Sequence, residues 1–138
     1  MSASSIVIAL PIADRPTSHA FYRDGLGLAA LGEPADDGVP EPLQFELSPG
    51  CRLMLVPRDG FGSILVGDHE KVAHPGHSEC LINLPARSEA EVDELVHRAE
   101  RAGARVTAPP TRHPWGYVAT FADPDGHLWS VSRDSPWH

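Results

Sequence analysis

The sequence predicts an α+β fold made of two similar modules, each with the order strand, helix, strand, strand, strand (βαβββ). The first observation is that apolar runs, helix caps and turns follow this order twice within the 138 residues. The second is an even offset between corresponding points, since Ile12 and Leu84 are 72 positions apart and Gly27 and Gly103 are 76 apart. One offset of this size indicates a duplicated module and not a solenoid.

The first module is predicted over residues 5–57. Its opening strand is the apolar run Ile6–Ile12, after which Asp14 and Pro16 supply a cap and a first turn for a helix. That helix is expected to end near Gly25. Three more strands are expected, at residues 28–31, 43–47 and 52–56. A proline- and glycine-rich loop at 32–42 separates the first of these strands from the second.

The connection between the modules is predicted over residues 58–78, a glycine-rich stretch with a short ordered piece at 63–66. Connections of this length are often functional or mobile.

The second module is predicted over residues 79–134 and begins with a strand at 79–84. Ser88 and Glu91 stand at the spacing of a capping box, so a helix is expected from there to Gly103. A strand at 104–108 is expected to end where Pro109-Pro110 opens a loop. Two last strands, at 117–121 and 128–132, flank the turn at 123–126.

Composition limits the class of protein. A content of 41% hydrophobic residues predicts one ordinary globular domain. The net charge is -8 and no basic block occurs, so the chain lacks the positive surface expected of a nucleic-acid-binding protein. No apolar run approaches the roughly 18 residues of a membrane span and no basic leader precedes the first strand, so we expect a cytoplasmic protein without membrane contact. Cys51 and Cys80 lack the spacing of a zinc or redox pair and are expected to be buried free thiols.

Three stretches carry a resemblance to a known superfamily. They are IALPIAD at 8–14, FYRDGLGL at 21–28 and FADPDGHLW at 121–129. Together with the two βαβββ modules they resemble the vicinal-oxygen-chelate superfamily, which includes glyoxalase, bleomycin-resistance and extradiol-dioxygenase relatives. The resemblance implies a single domain over residues 1–138, curved mixed sheets around a concave ligand cup with helices on the convex side, and a homodimer.

Alternation along the strands sorts their residues into two faces. The face expected under the helices consists of Ile6, Ile8, Leu10, Phe45, Leu47, Leu53, Leu55, Cys80, Ile82, Leu84, Trp129 and Val131. The opposite face mixes apolar and polar residues, as small-molecule sites usually do. From it and from the loop at 113–117 we predict the ligand-binding residues Val7, Gln44, Glu46, Arg52, Met54, Glu79, Asn83, Trp115, Tyr117, Thr120 and Ser130.

The positions that hold a metal in metal-dependent relatives are Val7, Met54, Glu79 and Ser130 here, by resemblance. Only Glu79 offers a good ligand, so we predict no metal and no cofactor. Imidazole is a common ligand, and a different site remains open at the histidines His69, His74 and His77, or at His113 with His127.

Other polar residues have two interpretations each. Asp123 and Asp125 are more simply turn residues than paired catalytic carboxylates, because proline and glycine occupy the turn positions beside them. Glu46 and Arg52 either pair with each other or anchor a ligand. The aromatic loop at 113–117 either packs locally or stacks on a planar ligand.

Three functions follow. The first is metal-free binding or sequestration of a small apolar or aromatic molecule, as in bleomycin-resistance relatives. The second is an enzyme (lyase, isomerase or dioxygenase, a glyoxalase-like lyase among them), either metal-free with Glu79 as acid and base or with a metal site that the alignment misses. The third is a regulatory module whose cup is filled by side chains.

Overall fold

A computed structural model describes residues 5–65 and 72–134. Contacts between Cα atoms divide the chain into two compact units, one of Met1–Arg23 with Gly27–His74 and one of Asp24–Leu26 with Pro75–His138. The elements in chain order are β1 (Ile6–Ile12), α1 (Arg15–Gly25), β2 (Leu43–Ser48), β3 (Cys51–Pro57), α2 (Arg58–Ile64), β4 (Leu81–Pro85), α3 (Glu89–Arg101), β5 (Arg105–His113), β6 (Gly116–Ala122) and β7 (Leu128–Arg133). The α+β class predicted from the sequence is confirmed.

The first unit is built on a three-stranded sheet in the order β1-β3-β2. Strand β1 runs parallel to β3, and β2 runs antiparallel to it. The register places Ile8, Leu53 and Phe45 side by side, and Leu53 and Phe45 are fully buried. The ring of Tyr22 on α1 lies 5.6 Å from that of Phe45. Alternation along these strands therefore buries the predicted face beneath α1.

The second unit is built on a four-stranded sheet in the order β4-β7-β6-β5, with only the β4–β7 pair parallel. Helix α3 begins where predicted, because the Ser88 side chain accepts a hydrogen bond of 3.1 Å from the Glu91 backbone N–H. The core of the second unit combines residues of α3 with strand residues on one side of the sheet. The buried members are Ala86, Val92, Val96, Ala119 and Val131.

The segment at 28–31 is not a strand, which corrects the prediction. It forms an isolated bridge between Ala30 and Phe45 and a backbone hydrogen bond from Leu31 to Gln44, while the Leu28 N–H donates back to the Tyr22 carbonyl on α1. Gly27 and Gly32 have φ of 69° and 89°, so the chain turns away at both ends of the segment before a ladder can form.

The connection contains a helix, α2, where the sequence predicted only a short ordered piece at 63–66. The helix follows β3 directly and holds two glycines, Gly60 and Gly62, whose low helix propensity concealed it. The end of the predicted piece, Val66, lies outside the described residues.

Two strand boundaries in the second unit also differ from the prediction. Strand β4 begins at Leu81, so Glu79 and Cys80 precede it. Strand β5 continues through Pro109 and Pro110, where a loop was expected. Because β5 is an edge strand and neither proline is paired with β6, their missing N–H groups break no ladder hydrogen bond.

The predicted core holds at its centre and fails at its ends. Of the residues assigned to it, Phe45, Leu53, Leu55, Trp129 and Val131 are buried, and the structure leaves half-buried Ile8, Leu10, Leu47, Ile82 and Leu84. Ile6 is 66% exposed because it opens an edge strand. Cys80 is exposed and Cys51 only half-buried, so the expectation of buried thiols was wrong. Within the described ranges, no helix is both long and apolar enough to cross a membrane.

Candidate functional site

The side of the second sheet that faces away from α3 carries a line of small polar residues. The register pairs Asn83 on β4 with Ser130 on β7, and Ser130 with Thr120 on β6. Their neighbours along the strands, such as Leu84 and Val131, point to the core under α3. The sequence therefore assigned these three polar residues to the correct face.

Hydrogen bonds join the polar side chains on this side of the sheet into two groups. The Ser130 hydroxyl donates to Asn83 Oδ1 at 2.7 Å, and the Ser132 hydroxyl donates to the same oxygen at 2.9 Å. On the neighbouring strands, the hydroxyl oxygens of Thr107 and Thr120 lie 2.6 Å apart. We call these five residues the polar row.

Burial is uneven along the polar row. Ser130 and Ser132 are 1% and 0% exposed, whereas Asn83 and Thr120 are half-buried. The two serines are therefore accessible only to neighbouring side chains, whereas Asn83, Thr120 and the exposed Thr107 remain open to a ligand. Ser132 and Thr107 are absent from the predicted site. Alternation places Ser132 on the same face as Ser130, and no comparable signal marks Thr107, which lies at a register shift between Val106 and Ala108.

The corresponding side of the first sheet is more apolar and carries charges. The register aligns Val7, Arg52 and Glu46 across β1, β3 and β2, and Val7 is 45% exposed. The next row contains Met54 and Gln44, both half-buried. Although Glu46 and Arg52 are cross-strand neighbours, no ion pair joins them among the described residues, and both side chains stay exposed. The charges of Glu46 and Arg52 are therefore not paired with each other.

Glu79 does not lie where the sequence placed it. It precedes β4 by two residues and is exposed, so it is not part of a sheet face. The β4 residue paired with Ser130 is Asn83, four positions further along the chain. The prediction began the strand at Glu79, where the apolar run Cys80-Leu81-Ile82 starts, and Glu79 shares the parity of Asn83.

The four positions that would hold a metal do not fit one. Val7 has a hydrocarbon side chain, Met54 a thioether, Glu79 lies outside the strand, and the Ser130 hydroxyl is committed to Asn83. In neither unit do three or more His, Cys, Asp or Glu side chains of the described residues come together as a metal site would require.

The structure adds no support for a metal site at the histidines. His69 lies outside the described residues, and His74 and His77 are exposed. The His113 ring stacks on Trp115, with centroids 4.6 Å apart. The backbone N–H of His127 donates to Asp123 Oδ1 at 2.8 Å, within the turn that follows β6.

Asp123 and Asp125 have the structural role that the turn pattern indicated. Asp123 is 4% exposed, and its Oδ1 also accepts a hydrogen bond of 3.0 Å from the backbone N–H of Asp125. The Gly126 N–H donates to the Asp123 carbonyl at 2.9 Å. The carboxylate of Asp123 thus holds the turn closed.

Tyr117, predicted to bind a ligand as part of the aromatic loop at 113–117, lies on the opposite side of the sheet from the polar row. It packs against the core under α3, and its hydroxyl donates to Asp93 Oδ1 at 2.6 Å. This hydrogen bond raises the pKa of Tyr117, because the acceptor stabilises the protonated phenol. Its parity with Phe121 on the same strand would have predicted this face.

The loop that leads into Tyr117 forms a separate pocket on the second unit. Arg112 makes a two-pronged ion pair with Glu89 and lies 5.4 Å from the centre of the Tyr117 ring. Hydrogen bonding from Arg112 lowers the pKa of Glu89. With Trp115, which is 45% exposed, these residues line a pocket of about 440 Å³. Trp115 is therefore separate from the polar row.

Comparisons with known proteins place this geometry among relatives. The model of the Glyoxalase/Bleomycin resistance protein/Dioxygenase superfamily matches residues 6–131. No curated protein matches the chain.

Solved structures share the fold. A glyoxalase-related enzyme from Fulvimarina pelagi is 27% identical over 92% of this chain and 85% of its own, with a TM-score of 0.76. The hypothetical protein SA1046 from S. aureus is 24% identical over 94% of this chain and 92% of its own, with a TM-score of 0.77. TnmS3, an antibiotic binding protein from Streptomyces sp. CB03234, is 24% identical over 95% of both chains, with a TM-score of 0.62.

Proposed function

Because the chain belongs to the Glyoxalase/Bleomycin resistance protein/Dioxygenase superfamily, we propose that it binds a small apolar or aromatic molecule without using a divalent metal. The proposal rests on the burial and hydrogen bonding of Ser130. At the position where metal-binding relatives are expected to present a carboxylate, this chain has a buried hydroxyl that donates its proton to Asn83. A donor held in this way offers a metal ion no anionic ligand.

The surfaces left open on the two sheets suit an apolar ligand with a few polar groups. On the first sheet we propose contacts from Val7, Gln44, Glu46, Arg52 and Met54. On the second sheet we propose contacts from Asn83 and Thr120, supported by Ser130. The exposed apolar side chains Val7 and Leu81, at 45% and 48%, supply surface whose burial would favour binding.

Sequestration of a toxic small molecule is the biological form that we favour. The relative TnmS3, described as an antibiotic binding protein, supports this proposal. We further propose that the chain works in the cytoplasm as a homodimer, as the family resemblance implies.

An enzymatic function is the second candidate, because the Fulvimarina pelagi relative is described as a glyoxalase-related enzyme. Glu79 is the acid–base residue proposed for it. An exposed carboxylate without a hydrogen-bond partner among the described residues is poorly oriented for that role, since a general base must be held within reach of the proton it takes.

The test is binding of dimethylaminonaphthalene, an apolar fluorescent aromatic molecule, measured in the presence of a chelator and again with added Mn²⁺, Ni²⁺ and Zn²⁺. We expect the same affinity in all conditions, a clear loss in Val7→Glu, and recovery of the unchanged probe by mass spectrometry. Ile64→Glu is the matched control, because Ile64 is also an exposed apolar residue, at 58%, but lies on α2.

Three results would count against metal-free binding. Affinity that appears only with a metal would move the proposal to a metal enzyme. Conversion of the probe, abolished by Glu79→Gln, would establish the second candidate. Equal loss of affinity in Val7→Glu and Ile64→Glu would show that the first sheet face is not the site.

A further inference from the structure

The oxygen and the nitrogen of the Asn83 side-chain amide differ in their hydrogen bonding. Its Oδ1 accepts from both Ser130 and Ser132, which uses the two lone pairs of an amide oxygen. Its Nδ2 has no acceptor among residues 5–65 and 72–134. Nor does Nδ2 occur among the buried side-chain nitrogens that lack a partner, so it is open to solvent or to a ligand.

The two serines fix which end of the amide points outward. Ser130 is 1% exposed, and within the described part of the chain Asn83 Oδ1 is the only acceptor for its hydroxyl proton. Rotating the amide by half a turn would leave that proton unpaired in a buried place, which is unfavourable. The N–H₂ group is therefore presented on the sheet face as a preoriented donor.

The surroundings of this donor are neutral. Ser130 is its partner in the register, and Leu81 and Leu128 form the row immediately before it on the same face. A carboxylate brought here would lose hydration without gaining a positive partner next to it, whereas a ketone or amide oxygen has little to lose. An apolar molecule that carries a neutral carbonyl matches both the donor and its neighbours.

We propose that Asn83 recognises a carbonyl oxygen of the ligand through Nδ2, and that Ser130 and Ser132 are the positioning residues that hold the amide. This inference rests on the proposed binding function and makes it more specific. It assigns the ligand class, apolar or aromatic molecules that bear a neutral carbonyl, and it gives a role to the serine that stands where a metal ligand would be expected.

The experiment compares dimethylaminonaphthalene with its propionyl derivative, which differs by the added propionyl group and hence by one carbonyl acceptor. Asn83 is the only asparagine in the chain, so protein made with ¹⁵N-asparagine gives a single side-chain N–H₂ signal pair. We expect one of its two proton signals to move downfield with the propionyl probe and to stay nearly in place with the parent.

Asn83→Asp is the informative variant, because a carboxylate still accepts from both serines but has no N–H₂ donor, and its added negative charge acts on both probes. We expect it to weaken binding of the propionyl probe by about tenfold or more relative to its effect on the parent probe, which has no carbonyl to lose. The double variant Ser130→Ala with Ser132→Ala should lose the same preference for the propionyl probe, because its amide is free to rotate. Thermal unfolding of each variant checks that it is folded, and the NMR measurement needs no variant.

The failures can be told apart. If both probes bind but the Asn83 signal responds equally to both, and Asn83→Asp affects both equally, the recognition of a carbonyl is refuted and the binding function stands. If neither probe binds, the proposed binding function falls and this inference falls with it.

Discussion

Replacing Gly126 by alanine should destabilise the second unit by more than the left-handed backbone alone accounts for. Gly126 has φ of 88° in the turn after β6, and a Cβ built there would lie 2.5 Å from the backbone nitrogen of Gly76 and 3.0 Å from its Cα. A left-handed conformation costs a residue with a Cβ about 1–2 kcal/mol. Overpacking against backbone adds about 1–3 kcal/mol, for a total of about 2–5 kcal/mol.

The matched control is Gly76→Ala. Gly76 also has φ of 88°, belongs to the same unit, and has nothing within 4 Å of its ideal Cβ position. It should lose only the conformational cost of about 1–2 kcal/mol. Urea unfolding of the wild type and both variants, followed by circular dichroism, measures the free energies of unfolding. Equal losses in the two variants would refute the contact between the 123–126 turn and the loop at 75–76.

Three further outcomes follow from the second unit. Ser88→Ala should lower the free energy of unfolding by about 1 kcal/mol, while Ser88→Asp, which keeps an acceptor at the cap, should stay close to wild type in the same urea titration. The pKa of Glu89 is lowered below its ordinary value of 4.5, so the ionised side chain stabilises the fold above that pH and this stabilisation is lost as the pH falls. The difference in the free energy of unfolding between wild type and Glu89→Gln should therefore shrink on acidification. A difference that stays constant with pH would contradict the ion pair with Arg112. Tyr117 should ionise above its ordinary pKa of 10.0 in an ultraviolet titration, and Asp93→Ala should bring that ionisation back toward 10.0.

Local signals in the sequence predicted most of the elements. The apolar run of β1, the serine cap of α3 and the turn at Asp123 each depend on residues that are close together in the chain, and each occurs where expected. Helix α2 was missed because Gly60 and Gly62 lower its local propensity, and packing of α2 against β1 and β3 offsets that deficit.

The candidate site was less predictable because it depends on register. Alternation alone placed Asn83, Thr120 and Ser130 on one face. Glu79 was wrongly placed in the strand, because the start of β4 is not marked in the sequence. Strand β4 pairs with β7 in parallel across a long connection that contains α3, β5 and β6. No nearby turn fixes such a register, in contrast to a hairpin.

The two prolines in β5 also affect how the protein behaves in concentrated solution. An edge strand offers a row of free N–H and C=O groups on which a strand of another molecule can add, and this is a common start of aggregation. At Pro109 and Pro110 the outer edge of the second sheet has no N–H to offer, and the register with β6 shifts at the same place. This edge should therefore resist the growth of intermolecular β-structure, and replacing both prolines with threonine or valine would turn it into a template for fibrils.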